Sequence, residues 1–130
     1  MRIGLTGGGA TADRIVSQAK RAEADGFTSL WYPGAAGAGD PLPVMALAGR
    51  ATAAIELGTA VLPSYTCHPA LQASRANAVA SAIGTSGRFI LGVGPSHRIV
   101  IEDRLGLSYD TPGRHTDEYV QILTDRKSVV

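Results

Sequence analysis

Four times along the chain a short apolar run is followed, across a turn, by a longer segment whose apolar residues recur every three or four positions. Residues 2–5, 28–32, 55–62 and 88–93 are the short runs, of strand length and apolar on both faces. Ile15, Val16, Ala19 and Ala22 make one helical stripe, Val44, Leu47, Ala48 and Ala51 a second, and Leu71, Ala76, Val79, Ala80 and Ile83 a third. Helix starts are marked by Thr11 with Asp13 behind it, by Asp40-Pro41, by Pro69 and by Thr111-Pro112, and Gly26 fits the end of the first helix. Strands separated by whole helices need long crossovers, so they pair in parallel and are covered by those helices. The expected fold class is therefore α/β: the N-terminal half of a (βα)8 barrel with about four βα units, followed by a long loop and a last helix facing inward through Tyr119, Val120 and Leu123. A closed barrel takes eight units and about 250 residues, so the 130 residues are expected to be half of a larger barrel.

Composition narrows the partners. Apolar residues make up 45% and charged ones 18%, as in ordinary globular protein, and 12 basic against 11 acidic residues leave no basic face for nucleic acid and no polybasic membrane anchor. A small-molecule substrate is expected, with a homodimer as one assembly open to the parent protein. The N-terminus lacks the apolar stretch of a signal peptide and no run of 18 apolar residues occurs, which points to the cytoplasm. Cys67 is the single cysteine and can form no internal disulfide.

The last six residues, Asp125-Arg126-Lys127-Ser128-Val129-Val130, break the apolar period of the helix before them. They resemble the in-frame translation of a sequencing-library adapter, and a natural polar helix end is the alternative. On the first reading residues 1–124 are a genuine barrel segment and 125–130 a non-native tail.

Gly7-Gly8-Gly9 after the first strand suggests a dinucleotide-binding turn. That site also needs an acidic residue at the end of the second strand, where Leu30-Trp31-Tyr32-Pro33 supplies none. The glycines then read as a strand-to-helix loop at a barrel mouth, on the face where barrel enzymes place their sites. No set of His, Asp and Glu has metal-ligand spacing, Ser64 and Ser96 sit in no nucleophile elbow, and His68 and His115 read as structural or solvated.

Three segments say more: Leu57-Gly58-Thr59-Ala60-Val61-Leu62-Pro63, Cys67-His68-Pro69, and Gly87-Arg88-Phe89-Ile90-Leu91-Gly92-Val93-Gly94-Pro95-Ser96-His97. Together with Gly106-Leu107-Ser108-Tyr109 and Pro112-Gly113-Arg114-His115, they make the chain from Met1 to about Thr124 resemble the luciferase-like monooxygenase superfamily. Within it, the chain resembles the deazaflavin (coenzyme F420)-dependent oxidoreductases. The resemblance implies hydride transfer between F420 and a small organic substrate. An FMN-dependent monooxygenase and a non-catalytic flavin-binding protein are the alternatives.

The resemblance also assigns positions. It implies a strand bulge with a non-prolyl cis peptide at Ala60 and Val61, which with Thr59 would back the cofactor ring; an ordinary trans strand is the plainer alternative. It places Gly94, Pro95, Ser96 and His97 at the C-terminal end of the fourth strand, with Ser96 and His97 on the cofactor's ribityl or phosphate tail. A turn capped by Ser96 with a solvated His97 is the plainer reading there. Several relatives carry an Asp-His pair where Tyr32 here runs into Pro33-Gly34, so their catalytic acid does not transfer. Tyr32 is left as a donor candidate or simple lining, and Gly7, Trp31 and Tyr32 as expected walls of the substrate pocket.

Overall fold

A computed structural model describes residues 1–9, 11–34, 39–84 and 87–125. The chain runs β1 (Gly4–Thr6), α1 (Ala12–Ala24), β2 (Ser29–Tyr32), α2 (Pro41–Arg50), β3 (Glu56–Thr59), β4 (Leu62–Pro63), α3 (Pro69–Ile83), β5 (Phe89–Ile90), β6 (Val93–Gly94) and α4 (Pro112–Thr124). A 3-10 turn, Ser64–Thr66, follows β4, and a short π-helical segment, Ile99–Arg104, follows β6. β1, β2, β3 and β5 form one parallel sheet in chain order, with β1 and β5 at its edges. This is the expected parallel α/β arrangement of four βα units.

Register decides what each face sees. Leu5, Leu30, Leu57 and Phe89 lie side by side in one row, and Thr6, Trp31, Gly58 and Ile90 in the next. Successive residues of a strand point to opposite faces. Leu30 and Leu57 are buried against the helices with Ala19, Met45 and Ala48, so the helices cover this face. Trp31 lies on the opposite face, half-buried, its ring against Gly58 so closely that a Cβ there would sit 2.3 Å from it, and its indole N–H donates to the Ser29 hydroxyl at 3.0 Å.

The caps act as the sequence suggests. The Thr11 hydroxyl accepts from Arg14 N–H at 3.3 Å and the Asp40 carboxylate from Leu42 N–H at 3.1 Å. His68 caps α3, its Nδ1 accepting from Ala70 N–H at 3.2 Å, which is the structural role expected of it.

Three helix faces differ from expectation. α2 buries Leu42, Met45, Ala48 and Gly49 and leaves Leu47 54% exposed. Two rotations of this apolar helix satisfy the periodicity, and contact with α3 selects one: a Cβ at Gly49 would lie 2.3 Å from the Ile83 side chain, so Gly49 must face α3. α3 correspondingly turns Gln72 and Ala73 inward and leaves Leu71 57% exposed, while Val79 and Ile83 are buried as expected. In α4 Tyr119 is buried and Val120 is exposed.

The third and fourth strands, expected to be continuous, are each broken in two. The Thr59 hydroxyl inserts between them, donating to the Gly92 carbonyl and accepting from the Gly92 N–H, both at 2.8 Å. Side-chain bonds there replace the backbone ladder. Beyond the break the strands resume as a separate parallel pair, Leu62 beside Val93 and Pro63 beside Gly94.

The opposite end of the sheet is tied by two charges. The buried Arg88 guanidinium donates to the carbonyls of Gly49, Thr52 and Ile55 at 2.9, 3.2 and 3.0 Å and to the Thr52 hydroxyl at 3.2 Å. The Glu23 carboxylate accepts from the N–H groups of Ala53, Ala54 and Ile55 at 2.6–3.0 Å. Desolvation pushes the Glu23 carboxyl up, but these N–H groups and Arg88 outweigh it and hold its pKa below the ordinary value.

Among the described residues no helix is long and apolar enough to cross a membrane. α4 ends with Asp125 N–H bonded to the Gln121 carbonyl at 2.9 Å. Of the suspected tail only Asp125 is described, and residues 126–130 lie outside the described residues.

Two predictions follow from these surfaces and bonds. Because the sheet has open edges at β1 and β5 and Ile3 and Leu5 stand 46% and 37% exposed beside one of them, residues 1–130 alone will self-associate on size-exclusion chromatography; a monodisperse, cooperatively unfolding monomer contradicts this. Glu23→Ala in the full-length protein will lose about 1 kcal/mol in urea unfolding at pH 7, since water reaches the Ala53 and Ala54 N–H groups once the carboxylate is gone. A lowered carboxyl pKa stabilises above its ordinary value and ceases to as pH falls through the folded value, so the difference between wild type and Glu23→Ala will shrink below pH 4.5.

Candidate functional site

The breaks in the third and fourth strands open a cleft at the C-terminal end of the sheet. The Leu62 N–H donates to the Gly92 carbonyl and the Ala60 N–H to the Tyr32 carbonyl, both at 2.8 Å. The bond between Ala60 and Val61 is cis, and Val61 is left 43% exposed. Close approach makes this possible: a Cβ on Gly92 would stand 2.0 Å from the Thr59 carbonyl oxygen, and one on Gly94 2.8 Å from Val61 Cγ2. The other wall follows β6 through Pro95 to Ser96, whose φ of 64° is left-handed, and His97, whose carbonyl accepts from the Val100 and Ile101 N–H groups at 2.9 and 3.0 Å.

The cleft has a volume of ≈ 380 Å³ and is lined by Pro33, Gly34, Ala60, Val61, Pro63, Ser96, His97, Val100 and Arg104. That volume lies within the range of about 300–1,000 Å³ usual for small-molecule sites. The residues that line it from around β4, Ala60, Val61 and Pro63, are apolar, and those after β6 are Ser96, His97 and Arg104 together with the apolar Val100. An elongated ligand with an apolar body and an anionic end matches this division.

Four of the expected residues, Ala60, Val61, Ser96 and His97, meet in the cleft. Gly94 and Pro95 form its backbone support, with Gly94 buried behind Val61. Thr59 is different: it is 0% exposed with its hydroxyl engaged by Gly92, so it holds the strands apart and presents no group to a ligand.

Gly7, Trp31 and Tyr32 do not line the cleft. Tyr32 points to the helix layer and donates to the Ile15 carbonyl at 3.1 Å, and burial pushes its phenol up to about 12. The hydroxyl is thus buried among the helices and turned away from the cleft. The space a side chain would need at Gly7 is filled by the Tyr32 ring, 2.6 Å from an ideal Cβ, and Gly7 N–H continues the ladder to the Trp31 carbonyl at 2.8 Å. Trp31 lies lower, on Gly58.

Arg104 and Val100 were not foreseen, because residues 99–104 lie in what reads as a loop. The available signal was local: Ile99, Val100 and Ile101 precede three charged residues, with Arg98 and Glu102 four apart, and the structure pairs those two at 2.5 Å and buries Ile101 fully. His115 was expected to be structural or solvated and is structural. Its Nε2 lies 3.1 Å from the Ser64 hydroxyl, and its ring stacks on Tyr65 at 3.8 Å. Among the described residues no cluster of His, Cys, Asp and Glu could hold a metal ion.

Gly92→Ala in the full-length protein will destabilise it by about 1–3 kcal/mol in denaturant unfolding, since the Thr59 carbonyl it meets is backbone and cannot swing aside. A stability equal to wild type would show that the two strands part more easily than this packing allows.

The profile of the luciferase-like monooxygenase family matches residues 2–125. A 5,10-methylenetetrahydromethanopterin reductase of Methanolobus tindarius is 32% identical over 107 residues, which are 82% of this chain and 32% of that protein. The structure of the coenzyme F420-dependent tetrahydromethanopterin reductase from Methanopyrus kandleri matches with a TM-score of 0.81 at 23% identity, over 94% of this chain and 39% of that one. The oxygenating constituent of 3,6-diketocamphane monooxygenase from Pseudomonas putida, solved in complex with FMN, matches with a TM-score of 0.79 at 18% identity, over 95% and 39%. The chain thus spans well under half the length of these proteins, and its fold is that of the N-terminal part of a (βα)8 barrel.

Proposed function

The chain belongs to the luciferase-like monooxygenase family, and from that premise we propose that the protein is an oxidoreductase that binds coenzyme F420 in the cleft between Val61 and Ser96. In this reading it passes hydride between the cofactor and a small unsaturated or carbonyl substrate. The observation that carries the reading is the two-sided lining: Ala60, Val61 and Pro63 on one side and Ser96, His97 and Arg104 on the other. The F420-dependent reductase among the similar structures and the methylenetetrahydromethanopterin reductase among the relatives favour this cofactor.

The lining residues fit the group. Ala60, Val61 and Pro63 would lie along the ring and keep water from it, while Ser96, His97 and Arg104 would bind the hydroxylated and anionic tail. When bound, a deazaflavin supplies the two-electron hydride chemistry, and the protein supplies orientation and a dry surface. Thr59 and Gly92 set the separation of the two strands behind the ring wall. In this reading Tyr32 has a packing role, its hydroxyl held by the Ile15 carbonyl.

A second reading, an FMN-dependent monooxygenase on the same cleft, is favoured by the similarity to the FMN-bound Pseudomonas putida enzyme. A non-catalytic flavin-binding protein is the third. In each case residues 1–124 are taken as the N-terminal half of the barrel and residues 125–130 as foreign to it, a division that the coding sequence of the uninterrupted gene tests directly.

Calorimetric titration of the full-length protein with F420 and with FMN distinguishes the readings: F420 will bind more tightly, and Arg104→Ala will weaken its binding about tenfold, the loss of one charge-assisted contact. Preference for FMN would leave the second and third readings, which turnover by the full-length protein with the reduced cofactor then separates. Binding of neither removes all three.

A further inference from the structure

Ser96 is the one non-glycine residue with positive φ among the described residues, at 64°, and it stands in the wall of the cleft. L-residues disfavour this conformation, so something must hold it. The Tyr109 hydroxyl, thirteen residues further on, donates to the Ser96 carbonyl at 2.8 Å. Tyr109 is itself fixed from two sides. Arg98 donates to its carbonyl at 3.1 Å and lies over its ring at 5.4 Å, and the Tyr65 ring packs against it at 5.4 Å.

Tyr65 follows two residues after Pro63, which belongs to the opposite wall. It stacks on His115 at 3.8 Å with an interplanar angle of 16°, and His115 is bonded to Ser64 at 3.1 Å. An aromatic brace therefore runs behind the cleft from one wall to the other, and neither Tyr65 nor Tyr109 lines the cleft.

We propose that Tyr109 is a positioning residue whose hydroxyl holds Ser96 in its left-handed conformation and so keeps the Ser96–His97 wall in shape to bind a ligand. The role in ligand binding rests on the cofactor reading of the cleft; the role in holding the backbone does not.

The test uses the full-length protein with Tyr109→Phe, Ser96→Gly and the double variant. Tyr109→Phe keeps the ring and removes only the donor. Hydrogen exchange of the amides of residues 96–99 will then speed up about 2–10-fold, the fold-change of one net hydrogen bond, with the melting temperature little changed. Affinity for F420 will fall by a similar factor. In the Ser96→Gly background the same substitution will change either reading less than twofold, because glycine takes a positive φ unaided.

Unchanged exchange at residues 96–99 overturns the proposal, as does an equal effect of Tyr109→Phe in both backgrounds. Failure of Tyr109→Phe to fold also overturns it, since the hydroxyl would then hold the fold rather than the loop. If wild type binds neither F420 nor FMN, the cofactor reading fails while the exchange result still decides the role of Tyr109.

Discussion

The buried Arg88 guanidinium is the point from which the rest of the molecule takes its register. Its bonds to the carbonyls of Gly49, Thr52 and Ile55 gather the end of α2, the following turn and the start of β3 onto the first residues of the fourth strand. Buried carbonyls left without donors are costly, so the turn between α2 and β3 closes only where this guanidinium can reach it. Glu23 fixes the same turn from the side of α1 through its N–H groups. With Leu57 then set beside Phe89 and Gly58 beside Ile90, the chain arrives at Thr59 and Gly92 already in register, and their paired bonds part the strands where the cleft begins. The far end of the sheet is shaped by what is fixed at the near end.

Much of this was legible from periodicity and from a few strong markers. Thr11, Asp40 and Pro69 begin their helices as read, and the alternation of strands and helices gives the parallel order. What escaped was decided by contacts between elements. An apolar helix such as α2 offers more than one face, and the choice falls to Gly49 against Ile83, a meeting no single-helix pattern contains. Tyr32, at the end of a strand pointing to the mouth, looked available for chemistry, but strand alternation sends it to the helices and the Ile15 carbonyl takes its proton donor. Arg104 was hidden for a further reason: a six-residue π-helical segment is too short for a periodic signal.

The cleft itself is made mostly of backbone. Glycines at 92 and 94 bring two strands closer than side chains would permit, the bend at Ala60 and Val61 turns an apolar residue outward, and Ser96 turns the other wall back. Its polar side chains, Ser96, His97 and Arg104, come from one stretch after β6, while its apolar lining is drawn from the ends of β2 and β3, from β4 and from Val100.

Trp31, the one tryptophan in the chain, sits on the sheet face away from the helices, in contact with Gly58 and half open. Indole emission shifts to the blue in a dry, apolar setting and to the red where water has access. These 130 residues thus carry a built-in optical gauge of their own sheet, and the colour of Trp31 emission separates a sheet whose inner face is covered from one whose inner face is wet, without any label or ligand.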